Sequence, residues 1–574
     1  MKLNIAKIMV PAAAFLLAAS VTSCMKDLEK GNIDPNVQAE ADINALYAKC
    51  YAGLIMEGND GNADFTIRDA GRSTLVRNVY NFNVLPTDEG ICWWSDGGIV
   101  DISYNQCVPS TETLNFLYYR LISNIAFCNH FLELGADATL TAEVRFLRAY
   151  NYYLMLDFFG DPPFTTTIST EIPKQAHAYN GKFSEGMSRA QKLALGREFL
   201  FNWIQDELLA AEANMMEPSP KTDAKADNTE NFDYGRADKA AVWFLLSRLY
   251  LNAGTYLNND GQNNPYWDKA LEYAEKVINS GYKLFTEDMM TTTAKNNDYQ
   301  PYDLLFMGDN GFNGASIESV LTLKQDGVKT HGWGGTLFFL ASTWDNTMET
   351  VTGLGRGTTE DGWAGMRCRR QLIEKFTSNP ESFEGKTTAQ IRDMHIDDRA
   401  LFWGVGHTVD LGNNTGFAQG LVTTKWNNNY STNATPHDPH DVDIDYFLFR
   451  VAEMYLTAAE AEMHINGVTS AKAKGYIDNI RNRAHAATKP SYSLQDVLDE
   501  RAREFYFEGL RRTDLIRYNQ FGGQDNYNWD YKNGIADGSG KIRFDKAYNV
   551  FPLPSSEVRA NTNITQIDGY PETE

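Results

Sequence analysis

Trp93 and Trp94 stand side by side in "ICWWSDGG" (91–98), next to Ser95, Asp96 and the flexible pair Gly97-Gly98. Three more tryptophans occupy loop-like settings: Trp333 in "THGWGG", Trp344 in "STWDN" and Trp363 in "EDGWAG". An indole offers a broad apolar plane with an electron-rich face. The C–H patches of a sugar ring lie well on it while the sugar hydroxyls turn to polar neighbours. Loops bordered by glycine can hold such a plane open to solvent. For each ring taken alone, core filling is the alternative.

Residues that make or break bonds are sparse. The chain has no GxSxG, no HExxH and no Walker loop, and "GLGRG" (353–357) follows no strand pattern. "HDPHDVDID" gathers His437, Asp438, His440, Asp441, Asp443 and Asp445. Its hard oxygen ligands suit Ca²⁺, but Pro439 blocks a regular helical His-x-x-His face, and a solvated acidic loop is the alternative. Asp88-Glu89 is a carboxylate pair, yet glycoside hydrolysis needs two facing carboxyl groups about 5–10 Å apart, a separation the sequence does not give. No enzyme is expected. Cys50, Cys92, Cys107, Cys128 and Cys368 form an odd set without CxxC spacing, which reads as buried free thiols and not as a disulfide framework or zinc site.

The formal net charge of −23 argues against nucleic acid as a partner, since phosphates call for a basic footprint. A neutral ligand is compatible with it. The elements that must position the aromatic loops are mainly helical. "EADINALYAKCYAGLI" places Ile43, Leu46, Tyr47, Cys50, Tyr51 and Leu54 at spacings of three and four. "LNFLYYRLISNIAFCNHFLEL" and "TAEVRFLRAYNYYLMLDFFG" repeat the pattern, the second stopped by Gly160 and Pro162-Pro163. "RADKAAVWFLLSRLYLNAG", ending at Gly254, "WDKALEYAEKVINSGY", "YFLFRVAEMYLTAAEAEMHING" and "AKAKGYIDNIRNRA" follow. Small and large residues alternate in these pairs as in tetratricopeptide helices, where Ala and Gly admit a close neighbour. Scaffold segments therefore fall at about 40–58, 113–160, 190–213, 236–281 and 446–518, and ligand-face loops at about 60–112 and 285–445. "ESVLTLKQD" is a candidate strand.

Residues 1–23 read as an export signal, with Lys2 and Lys7 before the apolar run Ile8–Ala19, which is short for a membrane span. Cys24, placed after Val21-Thr22-Ser23, resembles the cysteine of a bacterial lipobox, which becomes the lipid-bearing first residue on cleavage. Residues 24–39 then form a lipidated flexible tether and 40–574 the binding domain. Met25-Lys26-Asp27-Leu28-Glu29 resembles the acidic tag of lipoproteins displayed outside the outer membrane. The expected location is the outer membrane, lipid-anchored and exposed at the cell surface.

"DERAREFYFEGLRRTDLIRY" (499–518) resembles the hallmark helix of the SusD/RagB family. It reads as one amphipathic helix with Phe505, Leu515 and Ile516 in the core and Arg501–Glu504 and Glu508–Arg512 paired along its surface. "AEVRFLRAYNYYLMLDFFGDPPF", "YGRADKAAVWFLLSRLYLNAGTY", "KQDGVKT", "FRVAEMYLTAAEA" and "FPLP" are similar to family segments in the same order. The resemblance implies a mainly α, SusD-like fold of four tetratricopeptide-like helix pairs, with a loop-rich ligand face and minor β elements. It implies an outer-membrane lipoprotein that partners a TonB-dependent, SusC-like transporter.

Within the family the chain is most similar to the starch-binding founding member. On that likeness, Arg77 falls on a binding arginine, Trp94 and Trp363 on stacking tryptophans, and Trp333 on a binding tyrosine. A ligand-contacting asparagine falls on Gly97, leaving Asp96 to supply the missing polar contact. Trp94 is then expected to face the ligand and Trp93 to pack beneath it. The implied ligand is a neutral glycan, an α-glucan such as starch or dextran. A lid with little glycan affinity of its own, another glycan such as fructan, or peptide are the alternatives. No cofactor is expected; Ca²⁺ stays open, because the family's acidic run is diluted here to Asp309 and Asn310.

Overall fold

Apolar residues recurring at three- and four-residue spacings do form helices, and polar residues at their ends set the limits. The computed structural model describes residues 42–58, 70–221, 233–349, 355–359, 361–411, 416–522 and 544–572. The expected signal peptide, the tether and Cys24 lie outside the described residues. Helices of seven residues or more are α1 Ile43–Ala52, α2 Leu75–Val84, α3 Glu112–Leu134, α4 Ala138–Phe159, α5 Arg189–Glu212, α6 Lys239–Leu251, α7 Trp267–Ile278, α8 Val451–Asn466, α9 Ala471–Arg483, α10 Leu494–Phe505 and α11 Arg511–Arg517. Residues 47–574 form one unit, and the start of α1 belongs to the segment before it.

Asp137 caps α4 by accepting from the Thr139 and Leu140 N–H groups, and Ser188 and Gln191 close a reciprocal capping box on α5. Gly160 ends α4 at φ +73°, a left-handed value that favours glycine. The other expected glycine stop is different. Gly254 lies inside a short helix, Ala253–Asn258, and a Cβ there would stand 2.6 Å from the Asp260 carbonyl oxygen. It admits a close neighbour instead of ending α6.

Each helix packs on the next from α3 through α9, and α8 also carries α10. This serial stacking is that of helical repeats, in which each unit buries its apolar face on its neighbour. From Ala142 to Phe159 α4 is buried on every side except at Arg145, so it runs through the middle of the core. All five described cysteines are buried free thiols.

Strands are short: β1 Gly90–Cys92, β2 Ser319–Leu323, β3 Met366–Cys368 and β4 Tyr446–Arg450 are those of three residues or more. The candidate strand in "ESVLTLKQD" is β2, antiparallel to β4. That pairing corrects the helix expected from Tyr446: the aromatic-rich "YFLFR" fits a pleated surface, and α8 begins only at Val451. A second correction is α2, which lies in a stretch expected to be loop. Its "LVRNVYNFNV" carries apolar residues at helical spacing, Leu75, Val76, Val79, Tyr80 and Val84, but its three asparagines merge with the Gly/Asn/Asp-rich segments around it. In the fold it is buried almost all round, asparagines included.

The hallmark segment 499–518 is not one helix. α10 ends at Phe505, Phe507 takes φ +59° and Gly509 φ +78°, and α11 restarts at Arg511. The expected pairs along one helix face are therefore not made. Arg501 binds Asp514 at 2.8 Å and Arg512 binds Asp157 at 2.8 Å. Glu508 accepts from Lys425 and Arg450, and Glu504 meets Arg399, Arg450 and Arg483. Breaking the helix turns these charges inward to join elements distant in sequence.

Candidate functional site

β1 and β3 pair antiparallel, Gly90 opposite Cys368 and Cys92 opposite Met366, and bring two loops together from opposite parts of the chain. The Trp93 N–H continues the ladder by donating to the Gly365 carbonyl at 3.0 Å. Beyond it the Trp94 indole lies over Gly365, where an added Cβ would come within 2.1 Å of the ring. Trp94 Nε1 donates to the Trp363 carbonyl at 3.1 Å. The Trp363 N–H in turn donates to the Ala341 carbonyl at 2.7 Å. Both loops are thus fixed by backbone, and their glycine is a seat for an aromatic ring.

Trp333 arrives from a third loop. Its N–H donates to Glu57 Oε2 at 2.8 Å. Gly334 fits against the start of α2, where a Cβ would stand 2.0 Å from Thr74 Oγ1. Arg77 projects from α2 with its guanidinium 4.4 Å from the Phe338 ring centroid. Phe338, on the short helix Thr336–Ala341, also meets Trp94 at 6.2 Å and Trp363 at 6.4 Å between centroids.

Arg77, Trp94, Asp96, Trp333 and Trp363 together line one open concavity of about 370 Å³. Trp363 is its middle ring, 6.4 Å from Trp94 with planes 52° apart and 6.0 Å from Trp333 with planes 33° apart. The rings are tilted to one another and do not lie in one plane. Trp333 is 44% exposed, the Trp94 and Trp363 side chains are half-buried, and Arg77 is buried.

The other candidates lie elsewhere. Trp93 packs against Ile91, Tyr104 and Leu411 and donates to the Gln419 carbonyl at 2.9 Å, so Gly365 and Phe338, not Trp93, support Trp94. Trp344 is a core residue, 2% exposed. A Cβ on the exposed Gly97 would meet only the Glu112 side chain, whose Oε2 stands 2.1 Å away and would have to move. Asp88 is paired with Arg511 at 2.7 Å and Glu89 is buried, its carboxyl pushed well above the usual range by burial. Cys92 is also buried, which pushes its thiol up to about 12 and keeps it neutral.

In the acidic loop, Asp443 accepts from Tyr430 and His437, and Asp445 from Tyr234 and the Gln325 N–H. Asp309 accepts from Ser431 and Asn313. Burial raises all three carboxyls, Asp445 to about 7. These oxygens are engaged by protein donors. Sequence reasoning missed three supports of the site: Phe338 beneath it, Glu57 behind Trp333, and His440 edge-on to Trp333 at 5.3 Å. Phe338 reads only as one apolar residue among many in "TLFFLA", and Glu57 is 276 residues away.

Gly365→Ala is expected to unseat Trp94, because a methyl group 2.1 Å from the ring is a hard overlap. Overpacking of this kind costs about 1–3 kcal/mol. Indole emission and near-ultraviolet circular dichroism should both change; unchanged spectra would show that the ring does not rest there.

A helical scaffold whose loops build an open, aromatic-lined concavity presents a surface on which the flat faces of a bound molecule can stack. Residues 375–570 match the SusD family model. The starch-binding protein SusD of Bacteroides thetaiotaomicron is 34% identical over 597 aligned residues, covering 97% of each chain. A SusD-like protein of Bacteroides ovatus is 24% identical, over 67% of this chain and 60% of its own. Among solved structures, surface glycan-binding protein A from Bacteroides uniformis superposes with TM-score 0.60 at 18% identity, covering 92% of this chain and 98% of its own. A laminarin-binding SusD-like protein does so with TM-score 0.60 at 18% identity, over 92% and 99%. The chain belongs to the SusD family.

Proposed function

We propose that this protein captures neutral glycan at the cell surface, an α-glucan such as starch or dextran, and delivers it to a TonB-dependent, SusC-like transporter. Lipid on Cys24 would hold it at the outer membrane. The observation that supports the glycan reading is the meeting of three indoles from distant loops on one concavity, with Arg77 and Asp96 beside them. Stacked faces take the C–H patches of successive sugars, while the guanidinium donates and the carboxylate accepts hydrogen bonds from hydroxyls. Ring planes tilted to their neighbours by 52° and 33° suit a curved chain better than a flat ribbon, and α-glucans coil. The relative that shares 34% identity is itself named for starch binding.

Isothermal titration with starch, dextran, levan and xylan tests the reading. Saturable heat is expected with at least one α-glucan and weak or no heat with xylan. Absence of binding to both α-glucans would remove the ligand assignment and favour a transporter lid with little glycan affinity.

A further inference from the structure

A second open groove, about 880 Å³ in volume, lies between the start of α5 and the C-terminal segment and shares no residue with the tryptophan concavity. Arg197 of α5 lines it and is only 6% exposed. The Arg197 Nη1 group donates a long 3.4 Å hydrogen bond to Asn259 Oδ1, and Nε has no hydrogen-bond partner. Among the described residues no carboxylate forms an ion pair with it. Arg399, Arg450, Arg483, Arg512 and Arg517, equally buried, each meet one. Burial pulls the Arg197 guanidinium down to about 10; Tyr256 and Asp157, the latter already paired with Arg512, oppose the shift, and Arg512 adds repulsion.

The mouth of the groove adds two cations. Arg189 donates to the Tyr570 carbonyl at 2.7 Å and Lys546 to the Asn259 carbonyl at 2.6 Å, and neither forms an ion pair among the described residues. Both keep donors to spare. Two carboxylates share the wall, Asp545 and Asp568, and Asp545 already accepts from the Ala547 N–H at 2.8 Å. A buried cation without a counter-charge is unfavourable unless an anion completes it. A guanidinium fork matches the paired oxygens of a carboxylate or phosphate.

We propose that this groove is a second ligand site, in which Arg197 takes the oxyanion of a small acidic molecule and Arg189 and Lys546 hold it at the mouth. Leu193 and Val550 provide apolar wall for the rest of the ligand. Non-specific adsorption of anions is disfavoured by the net charge of −23, so saturable anion binding would report this groove.

The test is titration of the full chain with inorganic phosphate and, separately, glucuronate at constant ionic strength, with glucose as the neutral control. At least one anion is expected to bind saturably and to raise the melting temperature with its concentration. Which anion binds identifies the oxyanion as phosphate or carboxylate. Arg197→Met is expected to weaken that binding at least ten-fold, abolish the thermal response and leave α-glucan binding unchanged. Should Arg197→Met fold poorly, Arg189→Ala and Lys546→Ala are each expected to weaken binding a few-fold. No saturable binding of either anion, or unchanged affinity in Arg197→Met or in both mouth variants, overturns the proposal.

Discussion

Trp363→Ala is expected to weaken α-glucan binding by at least thirty-fold, more than Trp333→Ala. Trp363 touches both other rings, at 6.4 and 6.0 Å, so its loss leaves two separated planes where there was one arc. Truncating a central aromatic anchor costs about 2 kcal/mol or more, and 1.4 kcal/mol is ten-fold in affinity. Trp333 stands at one end of the arc and meets only Trp363 of the other two indoles, so its loss leaves the Trp94–Trp363 pair in place and a few-fold to ten-fold effect is expected. The Trp94 anchor survives in Trp363→Ala because Trp94 Nε1 binds the main-chain carbonyl of residue 363. The triple variant Trp94→Ala, Trp333→Ala, Trp363→Ala is expected to abolish binding while far-ultraviolet circular dichroism stays unchanged. Titration of each variant with the same glucan decides it: wild-type affinity in Trp363→Ala would mean that the arc is not the ligand surface.

The lining of that arc was legible in the sequence because a large aromatic bordered by glycine leaves a local trace. "HGWGG" and "DGWAG" announce both the ring and the backbone room around it, and family likeness aligned the loops. What supports the rings left no such trace. Glu57, Phe338 and Gly365 act through contacts with residues far along the chain, and nothing in their immediate neighbours marks them. Trp93 shows the same limit from the other side. Its position next to Trp94 suggested a ring packed beneath that indole, whereas it joins the Ile91–Tyr104–Leu411 cluster and is tethered to Gln419.

The fold divides along the same line. α4, a long run of apolar residues stopped by Gly160 and Pro162-Pro163, could be read from the sequence although it has no polar face. α2 was hidden for another reason: it is only ten residues long, and its three asparagines blend into the Gly/Asn/Asp-rich stretch around it. The hallmark segment was misread as well. Its charges stand at spacings that would pair them along a surface helix, but the left-handed residues Phe507 and Gly509 break that helix. The acidic residues thereby reach arginines from three other elements, Arg399, Arg450 and Arg483, and the hub they form is invisible to any local rule.

That hub sets the second large effect: Glu504→Gln is expected to destabilise the protein by about 3–5 kcal/mol, the cost of leaving buried charges uncompensated. Glu504 is fully buried and meets Arg399 at 3.1 Å, Arg450 at 3.0 Å and Arg483, while Glu318 and Glu500 neutralise the outer sides of the same arginines. Burial alone would raise the Glu504 carboxyl, but the charges of Arg483, Arg450 and Arg399 outweigh it and hold it down at about 2. Glu500 is held low in the same way by Arg399, Arg503 and Arg481 against its own burial. A carboxylate depressed on folding contributes stability that is complete above its unfolded value of 4.5 and lost as pH falls toward 2. Wild-type protein should therefore lose stability steeply across that window, and Glu504→Gln should start lower at pH 7 and fall less steeply. Denaturant unfolding from pH 7 to 3 measures both quantities, with the exposed Glu171→Gln as control. A Glu504→Gln variant as stable as that control at pH 7 would show that the three arginines do not depend on this carboxylate.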